Sequence, residues 1–182
     1  AVVPQEAPSD FDFSVMDVVL MGRTPYLTRF ATEGEADLAI VRQAMELTDT
    51  WQLRDRNINN LSGGERQRVI IARAIAQQTG IIALDEPVSH LDIYHQINLL
   101  RQVKQLNRDH QITVLAVLHD LNLAAAYSDC LILMNRGRVH CCGTPEEILK
   151  PEILRKTYGV EVTVIQAPDT GRPYVIPKFG SL

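Results

Sequence analysis

The sequence predicts an α/β fold in which a mostly helical stretch precedes a parallel sheet with helical crossovers. Three observations predict it. Apolar runs at Ile81–Leu84, Thr113–Leu118 and Leu131–Met134 alternate with helical patterns at Asp92–Asn107 and Leu121–Tyr127, as in a crossover-connected sheet. The stretch up to about Gln78 reads as mostly helical, clearest over Asp37–Thr48, where Leu38, Val41 and Met45 form one stripe and Ile40, Ala44 and Leu47 another. The first apolar run ends in two carboxylates, Asp85 and Glu86, and α/β sheets place ligands at the carboxyl ends of their strands. The chain divides on this reading into residues 1–78 and 79–182.

Each element has a local cause. Ser62 is a good N-cap and Glu65 sits three residues on, so the pair forms a capping box for a helix running to about Gln78. Gly63 and Gly64 leave the mouth of that helix open to an anion, drawn by unpaired N–H groups and about half a positive charge. An ordinary capped surface helix is the alternative for Ser-Gly-Gly-Glu taken alone. Ile81–Leu84 is short, apolar and without alternation, which predicts a buried parallel strand. Asp92 suits an N-cap, followed by helix-spaced Ile93, Ile97 and Leu100. Arg138–Cys142 is expected to pair with Leu131–Met134 through the turn Asn135-Arg136-Gly137. Thr144 caps a short helix with Pro145 at its first position and Glu147 closing the box. Glu161–Gln166 and Tyr174–Ile176 read as a terminal hairpin around Pro168-Asp169-Thr170-Gly171.

Composition narrows the function classes. The 182 residues are 46% hydrophobic, enough for a sizeable core in one domain or two small lobes. A net charge of −4 argues against nucleic acid as a partner. No apolar run approaches the ~20 residues needed to cross a bilayer, so membrane contact is expected through partners. Cys130, Cys141 and Cys142 lack metal-ligand spacing, and two are adjacent, which suits reduced thiols better than a disulfide framework.

The nine residues Leu61–Val69, LSGGERQRV, closely resemble the signature motif of ATP-binding cassette (ABC) ATPases. The resemblance implies a fold: the C-terminal part of a P-loop NTPase (RecA-like) core, with the helical subdomain of that family as residues 1–78. It also implies roles. Ser62, Gly63, Gly64 and Glu65 would meet the γ-phosphate of ATP held by an opposing copy of the subunit. Ile81-Ile82-Ala83-Leu84-Asp85-Glu86-Pro87 resembles the Walker B segment, with Asp85 holding Mg²⁺ and Glu86 polarising the attacking water. An isolated Asp-Glu-Pro reads equally as a solvated acidic turn. Ser89-His90-Leu91-Asp92 resembles the D-loop that couples the two nucleotide sites. His119, after the apolar run ending at Leu118, stands where the family carries a histidine contacting the γ-phosphate. Gln5, in Val3-Pro4-Gln5-Glu6, resembles the Q-loop glutamine that senses Mg²⁺ and water.

Outside these motifs, Val15–Tyr26, His119–Ala124 and Gly171-Arg172-Pro173 resemble the importers of iron chelates, haem and cobalamin. The implied assembly is a homodimer of ATPase subunits beneath two membrane permeases, served indirectly by a substrate-binding protein. It lies on the cytoplasmic face of the plasma membrane. Met16, Val19, Leu20 and Tyr26 are candidate contacts for the permease's coupling helix, or else fill the helical lobe's own core. Val88 departs from the threonine of many relatives.

The family's phosphate-cradling loop, GxxxxGKS/T, is absent from this sequence. The first lysine is Lys104, and neither it nor Lys150, Lys156 or Lys178 follows a glycine. The resemblance therefore implies the C-terminal portion of a longer ATPase, with apolar surface left uncovered. Two other classes remain: a non-catalytic interaction fragment, and a DNA-repair type ABC ATPase, which usually has long coiled coils where only a short helical lobe intervenes here.

Overall fold

The computed structural model describes residues 1–5, 12–28, 32–89 and 91–178. Glu6 and His90, named above within two motifs, lie outside the described residues. Two compact units emerge, Ala1–Val117 and Leu118–Leu182. The boundary expected at 78/79 falls inside the first, because a strand from the helical stretch joins the sheet.

That strand is β1 (Val2–Val3), two residues that gave no sequence signal. It pairs in parallel with β2 (Ile81–Asp85), Val2 opposite Ala83 and Val3 opposite Leu84. β2 pairs in parallel with β3 (Thr113–Val117), Ile81 opposite Thr113 through Asp85 opposite Val117. The order β1-β2-β3 is the parallel sheet the alternation predicts. Expected burial of β2 holds on one face only. Val3, Ile82 and Leu84 are buried, whereas Ile81 is 59% exposed, and Val2, Leu115 and Val117 on the same face are exposed too. An apolar run marks a strand without saying which of its faces is covered.

Between β1 and β2 the chain forms the helical lobe. Helix α1 (Val15–Leu20) starts at a Ser14/Asp17 capping box and runs into a 3₁₀ turn over Met21–Tyr26. α2 (Glu35–Leu47) buries Val41, Ala44 and Met45, a face drawn from both predicted stripes, and leaves Leu38 and Leu47 exposed. α3 (Gly63–Ala76) packs against α1 and α2 and buries Val69, Ile70, Ile71, Ala72, Ala74 and Ala76. Val19 is fully buried here and fills the lobe's core, while Tyr26 is exposed and Met16 and Leu20 are half-buried.

Arg23 ties the lobe together. It is only 6% exposed. Its Nε donates to Asp37 Oδ1 at 2.8 Å, and its Nη1 donates to the Ala76 carbonyl at 2.9 Å and to Gln78 Oε1 at 3.2 Å. The guanidinium also lies 4.1 Å from the ring centre of Tyr26, whose hydroxyl donates to the Gln77 carbonyl. Two donors, Arg23 Nη1 and the Tyr26 hydroxyl, thus satisfy a helix end whose last carbonyls have no partner within the helix. The hydrogen bond from Arg23, then that from the Gly34 N–H, holds the Asp37 carboxyl below its ordinary value.

α4 (Ile93–His110) connects β2 to β3, capped by Asp92 as predicted. Its buried face is Leu99, Leu100 and Leu106; Ile93, expected on that face, is 73% exposed.

In the second unit, α5 (Leu121–Tyr127) precedes β4 (Leu131–Asn135) and β5 (Arg138–Gly143). The sequence placed Leu131–Met134 in the parallel alternation. It pairs instead only with β5, antiparallel, in its own two-stranded sheet among the described residues. The connecting turn explains this. Arg136 and Gly137 both have positive φ, 49° and 74°, the geometry of a tight hairpin whose twist matches its strands. α6 (Pro145–Ile148) carries the predicted Thr144/Glu147 box. α7 (Pro151–Tyr158) was not predicted, although Pro151 at its start and left-handed Gly159 at its end are the ordinary stop signals. β6 (Val162–Gln166) and β7 (Pro173–Pro177) form the expected antiparallel hairpin. Ala125, Leu149, Leu154, Val162 and Val175 make the core of this unit. Asn122 fastens α5 to β7: Val175 N donates to its Oδ1 at 2.7 Å, and its Nδ2 donates to the Val175 carbonyl at 3.2 Å.

Gly22 marks the closest approach of the 3₁₀ turn to α3, since a Cβ there would collide with the Arg73 carbonyl. Gly22→Ala is expected to destabilise the chain by about 1–3 kcal/mol, typical of overpacking against an unyielding backbone. Urea denaturation measures it; an unchanged midpoint would mean that the turn moves off α3 without cost.

Candidate functional site

The predicted residues gather in two clusters within the first unit. The first lies at the carboxyl ends of β1 and β2. Gln5 and Glu86 each stand two residues beyond the paired positions Val3 and Leu84, so parallel pairing brings them side by side. Gln5 Nε2 donates to Glu86 Oε2 at 2.8 Å, across 81 positions of sequence. A carboxylate accepts and does not donate, so the amide nitrogen must face Glu86, leaving the carbonyl oxygen of Gln5 for a cation or water. Asp85 ends β2 and is exposed.

Glu86 has φ 47°, in the left-handed region. That conformation costs a non-glycine residue roughly 1–2 kcal/mol and persists only where neighbours enforce it. The turn after it does so. Ser89 donates to the Glu86 carbonyl through both its N–H, at 3.3 Å, and its hydroxyl, at 3.1 Å. The Val88 carbonyl in turn accepts from the Leu91 N–H and the Gln96 amide.

The second cluster surrounds the N-terminus of α3. Ser62 Oγ accepts from the Glu65 N–H at 3.3 Å, and the Ser62 N–H donates to Glu65 Oε2 at 2.9 Å, closing the predicted box. The hydrogen bonds from the Ser62 hydroxyl and then its N–H hold the Glu65 carboxyl below its ordinary value. Beside this helix end lies the start of α4. A Cβ on Gly63 would touch Leu91, and one on Gly64 would come within 3.0 Å of His95 Cδ2. Asp92 accepts from the His95 N–H at 2.9 Å and pairs with His95 Nδ1 at 2.9 Å. Those contacts, backbone first and ring second, keep the Asp92 carboxyl below its ordinary value.

His95 is the residue that sequence reasoning missed. Its position three residues after an Asp N-cap was legible; its packing on Gly64 was not. The remaining candidate, His119, opens the second unit and is exposed, one residue before the Asp120 that caps α5.

The donor set suits a hard cation that keeps water and phosphate ligands. Mg²⁺ takes one or two carboxylates with substrate phosphates, not an all-protein cage. Asp85 and the Gln5 carbonyl oxygen are of that kind, and no group of three or more His, Cys, Asp or Glu able to hold a metal occurs among the described residues. The same residues present no helix long and apolar enough to cross a membrane.

A profile of the ABC transporter family matches residues 1–89. The chain is 45% identical over 177 residues to the cobalamin import ATP-binding protein BtuD of Halobacterium salinarum, covering 97% of this chain and 44% of that protein. It is 44% identical over 183 residues to the hemin import ATP-binding protein HmuV of Pseudomonas aeruginosa, covering 98% of this chain and 70% of that one. Among solved structures, an ABC transporter described as of metal-chelate type, in an inward-facing conformation, matches with a TM-score of 0.91 and 31% identity. That match covers 98% of this chain and 72% of the other. The chain thus spans less than half of the length of the cobalamin protein.

Two predictions follow from the second cluster. Glu65 has a lower pKa folded than unfolded, so its stabilisation is complete above its ordinary value of 4.5 and is lost as pH falls through the lowered folded value. The urea midpoint of the native chain should therefore fall below pH 4.5, and Glu65→Gln, which cannot titrate, should show a shallower fall. Equal slopes would remove Glu65 from the acid response. Gly64→Ala should gain about 0.5–1 kcal/mol of helix propensity in a His95→Ala background and lose that gain when His95 is present. Additive effects in the double-mutant cycle would show that the two residues are uncoupled.

Proposed function

The chain belongs to the ATP-binding subunits of ABC transporters, and from that premise we propose that it forms part of an importer subunit that hydrolyses ATP to drive uptake of an iron chelate, haem or cobalamin. One observation carries the reading: the hydrogen bond from Gln5 to Glu86 at the ends of two parallel strands. It joins the Q-loop and Walker B resemblances, 81 positions apart, at one point of the sheet where ligands bind. The substrate class is supported by the names of the cobalamin and hemin relatives and of the metal-chelate type transporter.

Glu86 orients and polarises the water that attacks the γ-phosphate, and Gln5 fixes its carboxylate. Asp85 and the carbonyl oxygen of Gln5 would hold Mg²⁺, which would supply charge neutralisation at the phosphoryl oxygens. Ser62, Gly63 and Gly64, with Glu65 completing the cap, present the α3 N-terminus to the γ-phosphate of ATP held by a second copy of the subunit. Asp92, beside that helix end, links the two nucleotide sites, and His119, in the second unit, is a candidate phosphate contact. The nucleotide's phosphate cradle lies outside these residues, which contain no GxxxxGKS/T loop. The dimer works on the cytoplasmic face of the membrane beneath two permeases, with Tyr26 among the exposed residues that meet them.

Glu86→Gln in the full-length subunit tests the central role. ATP turnover should fall by ~10²–10⁴, the typical worth of general-base help, while ATP-bound dimers accumulate in size-exclusion chromatography. Turnover at the native rate would take Glu86 out of the base position.

A further inference from the structure

The three cysteines have no part in the nucleotide reading, yet two of them meet. Cys130 immediately precedes β4 and Cys142 lies near the end of β5; both are exposed. Their sulfurs are 3.4 Å apart. The hairpin register enforces the meeting: Leu131 stands opposite Gly143 and Ile132 opposite Cys142, which sets Cys130 and Cys142 diagonally on one face. Cys141, adjacent in sequence, pairs with Leu133 and points to the other face. We propose that Cys130 and Cys142 form a redox-modification site that closes to an intramolecular disulfide by exchange with a low-molecular-weight disulfide.

Geometry and chemistry agree on the route. A disulfide requires a sulfur separation of ~2.05 Å, so the two atoms need approach by only about 1.4 Å from their 3.4 Å contact, with the ladder holding both residues in place. The hydrogen bond with Cys130, then burial and the charge of Cys130, push the Cys142 thiol up. Either sulfur can donate in this contact, and the raised thiol of Cys142 suits it to the second, resolving attack, with Cys130 attacking first. Cys130 attacks one sulfur of the small disulfide, forming a mixed disulfide and expelling one small thiolate. Cys142 then loses its proton and attacks the Cys130 sulfur, expelling the second. Two protein thiols and one small disulfide become one protein disulfide and two small thiols, and a small dithiol reverses the step.

The experiment incubates the reduced full chain with glutathione disulfide and follows thiol number, intact mass and peptide linkage. Three titratable thiols should become one, with loss of two hydrogens and a Cys130–Cys142 link that dithiothreitol reopens. Cys142→Ser should instead retain a glutathione adduct on Cys130. In urea, where the register is gone, links to Cys141 should compete, which ties the selectivity to the fold. Persistence of all three thiols, stable glutathione adducts without closure in the native chain, or links to Cys141 under folded conditions would each overturn the proposal.

Discussion

The parallel pairing of Val2–Val3 with Ala83–Leu84 is the constraint on which the first unit depends. It closes the whole helical lobe into a loop between adjacent strands. The Ala83 N–H donates to the Ala1 carbonyl at 2.9 Å, extending the ladder one step before the strand proper. Closing so long a loop costs entropy, but that cost grows only logarithmically with length, and a packed helical lobe inside the loop offsets it. Because both strands run the same way, their carboxyl ends align, and Gln5 and Glu86 come to one point. A short strand of two residues therefore sets the geometry of the candidate hydrolytic site.

The helix bearing LSGGERQRV is held at both ends by residues from other elements. At its N-terminus the Ser62/Glu65 box satisfies backbone donors while Leu91 and His95 pack on the two glycines. At its C-terminus Arg23 and Tyr26 take up the Ala76 and Gln77 carbonyls. Fourteen residues at 1.5 Å each make a rod of about 21 Å between these anchors. Its glycines serve packing, since a side chain at Gly64 would meet His95 of α4 and one at Gly63 would touch Leu91 just before that helix.

In the second unit, segments that resemble those of one importer subfamily fasten the unit together. Asn122 pins α5 to the backbone of β7, and Arg172 Nη1 donates to the Ser128 carbonyl at 3.3 Å. Resemblance in such segments reports a shared scaffold before it reports a shared substrate. The open face of the parallel sheet, with Val2, Ile81, Leu115 and Val117 exposed, gives the same lesson in reverse. Apolar composition identifies a strand, while the layers around it decide what is covered.

What the sequence determined by itself was local. The boxes at Ser62 and Thr144, the cap at Asp92, the tight turn at Arg136-Gly137 and the helix spacing of α2 are set by residues a few positions apart, and contiguous chemistry suffices to read them. It located the motif residues and their order, although α7 shows that even ordinary stop signals pass unread without an apolar pattern to frame them. Tertiary structure alone decided which segments meet: Gln5 with Glu86, Arg23 with Ala76, Gly64 with His95, Cys130 with Cys142. It also took Leu131–Asn135 out of the parallel sheet and into a hairpin. Those outcomes follow from strand pairing and helix packing between segments distant in the chain, where the energy lies in the closed arrangement and no single stretch of sequence carries its signal.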